Sequence, residues 1–170
     1  MGGLVSYGAY IPYYRLERGR IAGVLGSGGG RGTRAVAGYD EDTTSMAVEA
    51  GRAALAGLTG PGADRDAPRQ LFFATSVPAY ADKTNATAVH AALRLPADAL
   101  AVDMAGAVRS GVGALITAAQ SPVPAMAVLS DIRTGLPGST DERDGGDGAA
   151  AFVFGGADSG TPVSEYDSSW

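Results

Sequence analysis

Nucleophilic and acid–base chemistry needs cysteine, histidine, serine or carboxylates within reach of one another, and this sequence is sparing with the first two. None of its 170 residues is a cysteine, which excludes a thiolate nucleophile, a disulfide framework and a thiolate metal site. His90 is the only histidine, so any Ser–His pair would have to run through it or through another chain. It lies in a helical stretch between Val89 and Ala91, where a lone imidazole is more often packed or solvated than catalytic. Ser110 follows Arg109 at an expected helix start, and a hydroxyl there reads first as a cap. Carboxylates gather twice. Asp40, Glu41 and Asp42 precede a helical stretch. Three consecutive side chains cannot all face one ion, so they read as a helix N-terminus favoured by the dipole. Asp141, Glu142, Asp144 and Asp147 enclose Arg143 among glycines and read as a hydrated loop. No metal site is expected.

Two glycine patterns invite a phosphate reading, and both fail on context. Gly26 to Gly32 lacks the Lys-Ser/Thr of a P-loop. Gly146-Asp147-Gly148-Ala149-Ala150-Ala151 matches the dinucleotide fingerprint, but that fingerprint needs a helix after it, and the residues that follow are strand-like. A tight turn entering a strand is the better account.

The elements that would position these groups alternate. Apolar, β-rich runs at Leu4–Ile11, Gln70–Thr75, Ala99–Met104, Ala125–Ser130 and Ala149–Phe154 read as strands. Thr43–Leu58, Asn85–Leu93 and Ser110–Ala119 read as helices, and Tyr14–Leu25 has mixed helical spacing that stops in glycines. This order predicts an α/β layered fold over residues 1–170, with a polar tail at 156–170.

Composition narrows the class further. At 45% hydrophobic and 18% charged the chain reads as globular. A net charge of −5, with thirteen basic residues, argues against nucleic acid and anionic membranes as partners. The N-terminus lacks the pattern of a signal peptide, and no apolar run approaches the ~20 residues of a membrane span. The expected location is the cytoplasm. Met1-Gly2 with Ser6 matches a myristoylation pattern and Asn85-Ala86-Thr87 a glycosylation triplet. Both are cheap matches.

Four stretches carry more than pattern: VSYGAYIPYYRL (5–16), AVAGYDEDTTSMAVEAGRAAL (35–55), FATSVPAYADKTNATAVHAAL (73–93) and SDIRTGLPGSTDERDGGDGAAAFVFG (130–155). In order and spacing they resemble the N-terminal half of the hydroxymethylglutaryl-CoA synthase family, most of all its archaeal and actinobacterial members. The resemblance implies one thiolase-like half, βαβαβαββ, with a mixed five-stranded sheet and helices on its faces. It also implies an acyltransferase background and a coenzyme A thioester as the ligand. The family's acyl-carrying cysteine falls on Val108, within DMAGAVRSGVGAL (103–115), and valine has no heteroatom with which to form a thioester. The family's general acid/base glutamate falls near Pro78, and its catalytic histidine belongs to the second half.

The resemblance therefore implies a catalytically degenerate subunit, a pseudoenzyme. Such a half would work in a homo- or hetero-oligomer with a thiolase-like subunit, and family systems also employ a small OB-fold partner. The alternatives are an active acyl-CoA transferase or lyase that uses Ser110, His90 or Asp103, and a binder of a small ligand unrelated to CoA. Arg109, Arg133 and Arg143 are the candidates for CoA phosphates.

Overall fold

The computed structural model describes residues 2–26, 29–59 and 63–156. Along them run β1 (Leu4–Tyr10), β2 (Tyr14–Glu17), α1 (Arg18–Leu25), β3 (Thr33–Val36), α2 (Thr43–Ala56), β4 (Gln70–Thr75), α3 (Asn85–Leu93), β5 (Leu100–Ala105), α4 (Arg109–Ala119), β6 (Ala125–Asp131), α5 (Thr140–Asp144) and β7 (Gly148–Phe154). Five strands form one mixed sheet in the order β1-β7-β6-β4-β5. β4 is parallel to both β5 and β6, while β7 is antiparallel to both β6 and β1. The expected α/β architecture and five-stranded mixed sheet are present, with a second, two-stranded sheet beside them.

The central strands are apolar without interruption because both faces of the sheet are covered. Leu71 and Phe73 of β4 and Met126 and Val128 of β6 pack with α2 and α3 on one face. Their neighbours Phe72, Ala74, Ala125 and Ala127 pack with Ala114, Ala118 and Ala119 of α4 on the other. The period of two along each strand thus feeds two cores. The alanines of α2 have a specific use. A Cβ on Gly8 would stand 2.4 Å from the Ala54 nitrogen and 2.6 Å from the Ala50 oxygen, so helix and strand touch backbone to backbone. Larger residues would hold them apart.

Helix starts are set by side chains. Asp42 caps α2 in a reciprocal box: it accepts from the Ser45 nitrogen (2.6 Å), and the Ser45 hydroxyl accepts from the Asp42 nitrogen (2.8 Å). The acidic cluster at 40–42 is thus a helix start, as its position before α2 implies.

Three expectations are corrected. Tyr14–Leu25 is not one helical stretch but a strand followed by a helix. β2 pairs antiparallel with β3, from Tyr14 opposite Val36 to Glu17 opposite Thr33. That pairing lies across a glycine-rich loop and cannot be read from local periodicity. The acidic segment before β7 is not simply a loop. Residues 140–144 form α5, capped by the Ser139 hydroxyl, which accepts from the Glu142 nitrogen at 3.3 Å. Asp147 is not hydrated surface but 6% exposed, in a salt bridge with Arg34. The expected tail, apart from Gly156, lies outside the described residues, as do two residues of the Gly26–Gly32 loop.

Candidate functional site

The three parallel strands β4, β5 and β6 end together at Thr75, Ala105 and Asp131. In α/β sheets, the carboxyl ends of parallel strands are where loops and helix N-termini can converge on a ligand. The ends here are tied to one another. Asp131 accepts from the Ser76 nitrogen at 2.7 Å, the Ser76 hydroxyl at 2.8 Å and the Thr75 hydroxyl at 3.2 Å. The Gly106 nitrogen donates to the Thr75 oxygen at 3.2 Å. Gly106 has φ of 108°, which an L-residue rarely adopts, so the chain can turn sharply from β5 into α4.

Val108 stands at that turn as the residue before α4, with no side-chain cap, and is 60% exposed. Its apolar side chain stands in the open at a helix start, outside both buried clusters of the described residues. Ser110 does not cap α4. Its hydroxyl donates to the Ala105 oxygen at 3.4 Å, and the cap position belongs to Val108, so the capping expectation is corrected. Arg109 is exposed beside it. Pro78 lies exposed in the β4–α3 connection.

The other chemically capable residues are occupied elsewhere. Asp103, on β5, caps α3. One of its oxygens accepts from the Ala86 nitrogen at 2.6 Å, and the other from the Asn85 nitrogen at 2.7 Å and side-chain amide at 3.1 Å. His90 sits on α3, where Nε2 is 2.9 Å from the Pro96 oxygen. α3 and α4 pack on opposite faces of the sheet, so His90 and Ser110 are not brought together. Asn85, of the glycosylation triplet, is 1% exposed, and its side chain bonds Tyr80, Lys83 and Asp103. It is closed to modification in the folded chain.

Of the three arginines proposed for phosphates, Arg133 and Arg143 share the segment between β6 and β7, and Arg109 starts α4. Arg143 forms a two-pronged pair with its neighbour Asp144, at 2.7 and 3.1 Å. That pair lowers the Asp144 carboxyl, through the hydrogen bond first, and raises the Arg143 guanidinium for the same reason. Arg133 contributes its backbone to a network that sequence reasoning missed. The Arg34 guanidinium donates to the Arg133 oxygen (2.7 Å), the Glu142 oxygen (2.6 Å), the Asp141 oxygen (3.2 Å) and Asp147 Oδ1 (3.2 Å). Asp147 in turn accepts from the nitrogens of Arg133 and Ala37, each at 2.8 Å. This buried cluster fixes the β6–β7 connection against β3. Among the described residues, no group of His, Asp and Glu could hold a metal ion.

The geometry can now be set beside known proteins. No family model matches the chain. The hydroxymethylglutaryl-CoA synthase of Thermococcus gammatolerans is 35% identical over 176 residues, covering 99% of this chain and 49% of the relative. The structure of 3-oxoacyl-(acyl carrier protein) synthase III from Pseudomonas aeruginosa PAO1 superposes with a TM-score of 0.74 at 27% identity, over 93% of this chain and 53% of that one. An HMG-CoA synthase complexed with CoA superposes at 0.77 and 20% identity, over 92% and 42%.

The sheet order and flanking helices are those of a thiolase-fold condensing enzyme. Within that superfamily the chain is a relative of the hydroxymethylglutaryl-CoA synthases, at about a third identity over nearly its whole length. It spans about half the length of the curated relatives it matches.

Proposed function

We propose that the chain is a non-catalytic, half-length subunit of a thiolase-superfamily complex that condenses or cleaves acyl-CoA thioesters. The observation that carries this reading is Val108. The resemblance places the acyl-carrying cysteine there, at the turn from β5 into α4, and the chain holds no cysteine anywhere. Pro78, where the family's glutamate would fall, cannot transfer a proton. Neither Ser110 nor His90 has the other within reach to replace the missing pair.

An uncovered apolar surface supports the assembly. Val108 and Val112, at the start and in the first turns of α4, and Tyr7 and Ile11, within and just after β1, are each more than half exposed. Exposed apolar side chains of this size suit an interaction surface. A second thiolase-like subunit, supplying the missing half and the reactive groups, is the partner this surface suits. A coenzyme A thioester bound across the two is the ligand, with Arg109 at the mouth of the turn as its phosphate contact. A small OB-fold protein is the further partner. The chain itself would shape the acyl path with Val108 where the relatives carry chemistry.

The test is affinity capture of the tagged chain from its native host, followed by light scattering and mass spectrometry of what co-elutes. Recovery with a thiolase-like subunit that carries cysteine and histidine is the expected outcome. Recovery of the chain alone, or as a plain homodimer, overturns it. A covalent acyl adduct formed by the isolated chain with acetyl-CoA, and lost in Ser110→Ala, would favour an active enzyme instead.

A further inference from the structure

On the β1 side of the same sheet edge, a cleft of about 470 Å³ opens between the end of β1, the start of β2 and the first turns of α2. Tyr10, Tyr13 and Tyr14 supply its aromatic surface, and Asp40, Glu41 and Glu49 its charge, with no lysine or arginine among the lining residues. The Tyr13 and Tyr14 rings meet edge to face, with centroids 5.7 Å apart and planes at 79°. They are 86% and 59% exposed, an unusual place to leave two aromatic rings.

The carboxylates converge with the rings. A Cβ on Gly38 would lie 3.0 Å from Asp40 Oδ1, 3.1 Å from Glu41 Oε2 and 3.3 Å from Cε2 of Tyr14. One point beside Gly38 is therefore flanked by two acidic groups and a ring edge. Part of this wall is preset. Glu41 accepts from the Tyr10 hydroxyl with one oxygen and from the Gly38 nitrogen with the other. Glu49 is engaged by Arg52 on the same helix. Asp40 has neither hydrogen bond nor ion pair among the described residues, and the Arg15 guanidinium is spent on the oxygens of Pro12, Tyr13 and Tyr14.

Aromatic faces beside an uncompensated carboxylate attract a soft cation: the ring quadrupole and the negative charge act in the same direction. A bare metal ion is a poor match, because the acids do not form a metal-binding group and phenol rings offer it no ligand field. We infer that this cleft binds an alkylated ammonium group, with Tyr13 and Tyr14 against its apolar substituents and Asp40 balancing its charge. The site is independent of the acyl-CoA reading, since none of its residues lies at the ends of β4, β5 or β6.

The experiment is an NMR titration of the full chain, with labelled tyrosine rings, against three probes at constant ionic strength. They are choline chloride, N-acetyl-lysine methylamide and the neutral choline isostere 3,3-dimethylbutan-1-ol. Saturable shifts of the Tyr13 and Tyr14 rings are expected with a charged probe and not with the alcohol. Tighter binding of choline assigns the site to a free small cation, and tighter binding of the lysine amide to a partner's side chain. Tyr13→Ala and Asp40→Asn, both at exposed positions, should each weaken the binding by about threefold. Tyr39→Ala, exposed but outside the lining, should leave it unchanged. Equal shifts with the alcohol, no saturation with either cation, or indifference to both substitutions would overturn the inference.

Discussion

At the scale of the residue, burial decides which charges matter. Arg34 and Asp147 face each other 3.2 Å apart, with side chains 6% and 3% exposed. Arg34 donates to three backbone oxygens, with its Nε left unpaired, and Asp147 accepts from two backbone nitrogens, so removing one leaves the other charged and dry. Asp147→Ala should therefore cost about 3–5 kcal/mol in urea unfolding, far more than losing a surface pair such as Arg69–Asp98. Tyr10 gives a milder, pH-dependent case. The hydrogen bond to Glu41 comes first among the causes that raise its phenol above the ordinary value. A raised folded value means a contribution fully present below the unfolded phenol range and lost as the pH climbs through the folded value. Alkaline titration of stability should show this loss, and Tyr10→Phe should flatten that limb of the profile. Neither role is visible in the local sequence. Arg34 and Asp147 lie 113 positions apart, and nothing around either names the other. The acidic company of Asp147 even suggests hydration, which is why the reading from sequence put it on the surface.

At the scale of the element, the same logic explains which segments were legible. β4 and α3 match their sequence boundaries, Gln70–Thr75 and Asn85–Leu93, because buried runs and periodic stretches carry their own signal. β2, β3 and α5 do not. Four-residue strands in a two-stranded sheet owe their existence to each other, and α5 is five residues held by one serine cap. Asp103 shows how a candidate site residue can turn out to be a fastening. Because it receives three donors from the start of α3, Asp103→Ala should destabilise the fold by about 2–3 kcal/mol in chemical denaturation. A catalytic role alone would leave stability intact. The turn at 106–108 was legible in the opposite sense. The resemblance sets Val108 before the helix, and its 60% exposure there depends on the turn at Gly106, which no local pattern announces.

At the scale of the whole molecule, α4 is covered by the sheet on one side only. Val112 is 55% exposed on its outer side, so a charge there should be nearly free for the isolated chain and damaging to assembly. Val112→Arg is expected to leave the stability within about 0.5 kcal/mol of the parent while abolishing co-purification of the proposed thiolase-like subunit. Unchanged co-purification would mean that some other surface makes the contact. The sheet order has a consequence of its own for how such a chain is made. β7 is inserted between β1 and β6, and Leu4 finds its partner in Phe154, about 150 positions later. On a translating ribosome, β1 and the helix laid against it must wait, greasy and unpaired, until nearly all of the described chain has emerged. The long wait makes the nascent protein a natural client for chaperones, and a truncation just before β7 should yield an aggregate rather than a smaller domain.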